Sequence, residues 1–79
     1  MIKYKLEFIL STFNVDKQNV RNSLLDSAED LEIIETLDKE INGPEELKIN
    51  LLTNEPTIIF DICSQFGRIK SIKVEEKLN

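Results

Sequence analysis

The sequence predicts an α+β fold with the element order β-α-β-β-α-β, and three observations carry that expectation. A clean period of two runs from Ile2 to Leu10, the signature of a strand with one buried side. A helical period begins at Asn14 and returns after Asn54. The chain has only two glycines, Gly43 and Gly67, and two prolines, Pro44 and Pro56, and all four sit where the period changes. At 79 residues the chain holds one domain, spanning 1–79.

In the first strand Ile2, Tyr4, Leu6, Phe8 and Leu10 share one face, and Lys3, Lys5, Glu7 and Ile9 share the other. A helix from about Asp16 to Glu29 is expected from the stripe of Val20, Leu24 and Leu31, with Ser27 and Ala28 between them. Its opposite face, Gln18, Asn19, Asn22, Asp26 and Glu29, is polar, and Asn14 or Asp16 supplies a capping oxygen for a free backbone N–H. Leu31 to Ile41 reads as a second strand, with Leu31, Ile33 and Leu37 on one side, Ile34 and Thr36 on the other, and Glu35 intruding on the apolar side. Asn42-Gly43-Pro44 then turns the chain, since proline lacks a backbone donor and glycine tolerates positive φ. Leu47, Ile49 and Leu51 alternate with Lys48, Asn50 and Leu52 as a third strand. The second helix is expected to start at an Asn54 cap with Pro56 in its first turn, to bury Ile59, Ile62, Cys63 and Phe66, and to stop at Gly67. Ile72 and Val74, alternating with Lys73 and Glu75, form a short last strand.

Two right-handed β-α-β crossovers place both helices on one face of the sheet. The arrangement that satisfies this order is a ferredoxin-like βαββαβ sandwich, a four-stranded antiparallel sheet of strand order 4-1-3-2. The core then draws on Tyr4, Leu6, Phe8 and Leu10, on Val20 and Leu24, on Leu31, Ile33, Leu47, Ile49 and Leu51, on the second-helix stripe, and on Ile72 and Val74.

Composition removes several chemistries. The chain has no His, which excludes imidazole acid–base catalysis and His–metal sites. Its single cysteine, Cys63, has no intramolecular partner and lies on an apolar helix stripe, where a thiol is expected to be inert. No nucleophile–base pair, metal cluster or glycine-rich phosphate loop can be assembled, so no catalytic residue, cofactor or metal is expected. Asp38 to Gly43 has a superficial likeness to a calcium loop, but Pro44 comes next and the twelfth position is Ile49 rather than a bidentate acid. No apolar run approaches the roughly 18 residues of a membrane span, and the N-terminus lacks a signal-peptide core, so a cytoplasmic protein without direct membrane insertion is expected.

Charge is the most informative feature that remains. The formal net charge is −5, yet the window Asp26–Glu46 alone holds nine acids against one base, Lys39. Asp26, Glu29, Asp30, Glu32, Glu35, Asp38 and Glu40 gather at the end of the first helix and along the expected second strand, an edge, while Arg68, Lys70, Lys73 and Lys77 mark the opposite edge. Acids on an edge strand discourage strand-to-strand aggregation. They also offer a docking face to a basic partner.

The run Phe60 to Val74 resembles a helix–strand portion of RNA-recognition motifs, which share this topology. RNA binding in that family rests on aromatic residues exposed on the central strands, whereas here those faces offer Lys3, Lys5, Glu7, Ile9, Lys48, Asn50 and Leu52. No nucleic acid is therefore expected as a partner. The whole layout, with the ending Gly67-Arg68-Ile69-Lys70-Ser71-Ile72-Lys73-Val74-Glu75-Glu76, resembles ACT-type regulatory domains, including soluble C-terminal domains of some membrane transport proteins. It is similar as well to the response-regulator-docking domain of chemotaxis histidine kinases. Both resemblances imply a module that binds or regulates and performs no chemistry. Amino-acid-binding members of the ACT type place a glycine at the start of the first helix; the turn here is Ser11-Thr12-Phe13-Asn14, so the resemblance does not extend to an effector site.

The resulting expectation is a small non-catalytic regulatory or protein-interaction module. The alternative is a free-standing acidic inhibitor that mimics nucleic acid and docks a basic partner through the Asp26–Glu46 region. A homodimer is expected, because a chain this small buries a thin core. Ile9, Ile34 and Leu52, pointing away from the helices, are its candidate contacts.

Overall fold

The computed structural model describes residues 2–36 and 43–78. Strand β1 (Ile2–Thr12) leads to helix α1 (Lys17–Leu24), strands β2 (Glu29–Glu35) and β3 (Glu45–Thr53), helix α2 (Pro56–Ser64) and strand β4 (Arg68–Leu78). The four strands form one antiparallel sheet in the order β2-β3-β1-β4, as the alternation of β1 and β3 requires if these two are central. Leu6, Phe8 and Leu10 of β1, Leu47, Ile49 and Leu51 of β3, and Ile33 of β2 point to one side. There they join Val20 and Leu24 of α1 and Ile59 and Cys63 of α2 in a single buried cluster. Phe60 packs edge-on against Phe8, with centroids 5.6 Å apart and rings at 63°. Each fully buried aliphatic or aromatic side chain here is worth about 1.5–3 kcal/mol relative to exposure.

The structure corrects several element boundaries. Helix α1 stops at Leu24, not Glu29, and Glu29 begins β2. The hydroxyl of Thr53 donates to the Ser27 carbonyl at 2.9 Å, which holds Ser27 against the end of β3 and out of a helical path. Asp30, at φ 51°, then inserts one extra residue into β2, so the register passes from Glu29↔Leu52 to Glu32↔Asn50. Leu31 is half-buried against the core from this bulge, not from a helix. Leu37, Ile41 and Asn42, assigned above to the second strand and the turn, lie outside the described residues.

Strand β4 is much longer than its alternation suggests, because Ser71 breaks it. Ser71 sits at φ 56°, and the register jumps from Ile9↔Lys70 to Glu7↔Lys73, leaving two β4 residues opposite Phe8. Ile69 therefore faces the core beside Leu10, although it has the opposite sequence parity to Val74, which pairs with Leu6. Ile72 and Val74 are not core residues: they are 50% and 54% exposed. The helices have eight and nine residues, about 12–14 Å of rise, whereas β1 and β4 have eleven, about 36 Å. Much of the β1–β4 pair thus runs beyond its helical cover, and the molecule measures 44 × 20 × 17 Å.

The helix ends obey the expected chemistry only in part. Asp16 caps α1, its Oδ1 accepting from the Gln18 N–H at 2.9 Å. Asn14 takes φ 54° instead. Pro56 opens α2 as expected, but the cap position is Glu55 and makes no side-chain cap bond. The Thr53 hydroxyl accepts from the Glu55 N–H at 3.1 Å and fixes the entry. Gly67 does not use positive φ to stop α2, which ends at Ser64. A Cβ at position 67 would collide with the Ser11 carbonyl oxygen and lie 3.1 Å from Thr12 Cγ2, so glycine is there to let the α2–β4 link press against β1. Among the described residues, no helix is long and apolar enough to cross a membrane.

Candidate partner-binding surfaces

The side of the sheet away from the helices is ordered by register. Glu29, Leu52, Lys5 and Glu75 make one row across the four strands; Glu32, Asn50, Glu7 and Lys73 make the next; Ile34, Lys48, Ile9 and Lys70 the third. Opposite charges meet across these rows. Lys48 Nζ stands 3.0 Å from Glu7 Oε1, Lys3 Nζ stands 2.5 Å from Glu29 Oε2, and Lys70 pairs with Glu46. Asn50 Nδ2 donates to Glu32 Oε1 at 3.3 Å, and Lys77 pairs with Glu75 at 3.0 Å. Glu7 lies among cations: the Lys48 hydrogen bond and charge, with Lys73 and Lys5 farther off, hold its carboxyl below the usual glutamate range.

This lattice places the three aliphatic candidates apart. Lys48 stands between Ile9 and Ile34, and Leu52 sits between Glu29 and Lys5, two rows away. Leu52 floors a shallow depression of about 610 Å³ whose rim includes Lys3, Lys5, Glu29, Asp30 and Lys77. Lys3 and Lys77 there are already engaged by Glu29 and Glu75.

The acidic window divides in two. Glu29, Glu32 and Glu46 turn onto the open face and are held by Lys3, Asn50 and Lys70. Asp26, Asp30 and Glu35 are exposed along β2 and the turn before it, and none of them forms an ion pair with another described residue. Asp38 and Glu40, assigned to the same surface, lie outside the described residues. Alternation already puts Glu35 on the apolar side and Glu46 on the open one; the turn of Glu29 toward Lys3 depends on the Asp30 bulge and is hidden from it.

Cys63 is fully buried, and desolvation pushes its thiol pKa up to about 12. A thiol so placed is protonated at neutral pH and closed to a substrate. Among the described residues, no three His, Cys, Asp or Glu side chains are grouped to hold a metal ion.

Residues outside the sequence-based core also matter. Ile69 and Phe60 pack against the core, while Thr12 and Thr53 are buried polar residues. The Ser71 bulge hides Ile69 from a parity argument, whereas Thr12 and Thr53 simply continue the inward parity of Leu10 and Leu51, and only their polarity keeps them out of an apolar core pattern. No protein-family model and no curated protein matches the chain.

Proposed function

We propose that the chain is a small, non-catalytic interaction module on a ferredoxin-like sandwich, and that its β2 edge receives a basic protein partner. The carrying observation is the division of the acids. The Asp30 bulge already interrupts the β2 ladder, which protects an edge from unwanted pairing. Asp26, Asp30 and Glu35 nevertheless remain exposed and form no ion pair with another described residue, beside a face on which Glu7, Glu29 and Glu46 each have a lysine. Exposed charges of one sign steer association with a surface of the other sign. The buried Cys63 and the absence of His support a binding role over a catalytic one. A regulatory role, as the ACT-type resemblance implies, fits the same surface.

The test compares the native chain with a variant carrying Asp26→Lys, Asp30→Lys and Glu35→Lys, both used to isolate partners from the source cells. A basic protein retained by the native chain in a salt-sensitive manner and lost by the variant, with unchanged circular dichroism, supports the reading. Equal retention by both removes it. If the captured protein binds nucleic acid, and nucleic acid competes it off, the inhibitor alternative takes over.

A further inference from the structure

We propose that β4 pairs with β4 of a second copy, antiparallel and two-fold about Val74, to join two sheets edge to edge. The edge itself points this way. After the Ser71 bulge, Ile72–Leu78 runs without proline or further irregularity beside β1, and its outer side has no strand among the described residues. An uninterrupted edge exposes backbone donors and acceptors that another strand can satisfy. Val74 pairs with Leu6, which is fully buried, so Val74 shares the helix-facing side of the sheet; Ile72, two residues back, shares it too. Both are about half exposed, as the outermost strand of the sheet leaves them.

Charge selects the register. In a two-fold antiparallel pair, residues equally distant from the axis face each other on one side of the sheet. With the axis at Lys73, that lysine meets itself; at Glu75, the glutamate meets itself and Lys73 meets Lys77; at Glu76, that carboxylate meets its copy. With the axis at Val74, valine meets valine on the helix side, and on the open side Lys73 of each copy meets Glu75 of the other. Lys73 and Glu75 do lie on the open side, opposite Glu7 and Lys5 of β1. This register joins a Val74–Val74 contact to two reciprocal Lys73–Glu75 pairs, in which Glu75 also keeps Lys77 of its own chain, and it sets Ile72 opposite Glu76 on the helix side. Arg68 and Lys70 lie on the far side of the Ser71 bulge, outside the paired segment. The sheet face with Ile9 and Leu52 offers no such match, since Lys48 and Lys5 stand beside these residues.

The experiment uses two single variants and their mixture. Lys73→Glu gives a strand with acids at both positions, and Glu75→Lys gives one with bases at both. Each homodimer then faces like charges, and dimerisation should weaken roughly tenfold or more. Mixed in equal amounts, the two variants restore opposite charges at both contacts and should form a heterodimer as tight as the native dimer. Sedimentation at high micromolar concentration reads the masses, and circular dichroism checks that each variant is folded. A native chain that sediments as a monomer overturns the proposal, as does a dimer that both variants leave unchanged. An Ile9→Lys, Leu52→Lys double variant should stay dimeric; if it becomes a folded monomer, the contact is the sheet face and the β4 pairing is wrong. None of these substitutions touches Asp26, Asp30 or Glu35, so the outcome is independent of partner capture at β2.

Discussion

Two buried threonines have opposite standing. Thr53 donates its hydroxyl to the Ser27 carbonyl at 2.9 Å and accepts from the Glu55 N–H at 3.1 Å, so one side chain ties the end of β3 to both helix-flanking turns. Thr12 is equally buried, but its Oγ1 has no hydrogen-bond partner among the described residues. Valine has nearly the same shape as threonine and neither donates nor accepts. Thr53→Val should therefore destabilise the chain by about 1–3 kcal/mol, the loss of two bonds and the stranding of a carbonyl and an amide. Thr12→Val should be neutral or stabilising by about 1 kcal/mol, because it removes a desolvated hydroxyl that gains nothing. Urea denaturation of the two variants measures both values. Equal losses would mean that the Thr53 bonds contribute nothing beyond the methyl packing the two sites share.

At the scale of elements, the α2–β4 link is set by Gly67. Its φ is not positive, so alanine is allowed by the backbone, and the obstacle is only the Ser11 carbonyl oxygen and Thr12 Cγ2 facing it. Gly67→Ala should cost about 1–3 kcal/mol by forcing β1 and the link apart, even though alanine lowers the entropy of the unfolded chain. A stabilised variant in thermal or urea unfolding would refute the close approach. The strands differ in how far their sequence discloses them. β1 and β3 are central, keep an unbroken period of two and are legible throughout, as is Pro56 at the start of α2. β2 and β4 depart from expectation at the two non-glycine residues of positive φ within strands, Asp30 and Ser71. Each inserts a residue and reverses the parity of the residues beyond it, so Leu31 mimics a helix position and Ile69 falls on the wrong side of a simple alternation. A bulge formed by serine or aspartate carries no glycine to announce it. The acidic stretch is visible from composition; which acids lack an ion pair among the described residues depends on register and is not.

Across the whole molecule the sheet separates two kinds of edge. Three strand spacings, about 14 Å, part β2 from β4, more than the Debye length of about 8 Å at physiological salt, so each edge presents its own field. The acids of β2 lie on one side and Arg68, Lys70, Lys73 and Lys77 on the other. That basic edge raises the question of nucleic acid, and we expect none to bind there. Tyr4 and Phe8 face the helices, Phe60 packs edge-on against Phe8, and Phe66 packs against the core. Phe13 alone is widely exposed, at 66%, and it lies past the end of β1, off the open face. Without aromatic rings there, bases have nothing to stack on. Lys3, Lys48, Lys70 and Lys77 are also neutralised by Glu29, Glu7, Glu46 and Glu75, so phosphate would have to displace protein carboxylates. With a net charge of −5, the remaining field repels a polyanion at distance. Single-stranded RNA and duplex DNA should give no micromolar complex at about 0.15 M salt, and any weak retardation at low salt should vanish as salt rises. Fluorescence anisotropy across a salt series measures this. A complex that survives physiological salt and is lost in a Lys70→Glu, Lys73→Glu variant would make the β4 side a nucleic-acid surface, because only direct phosphate contacts give that combination.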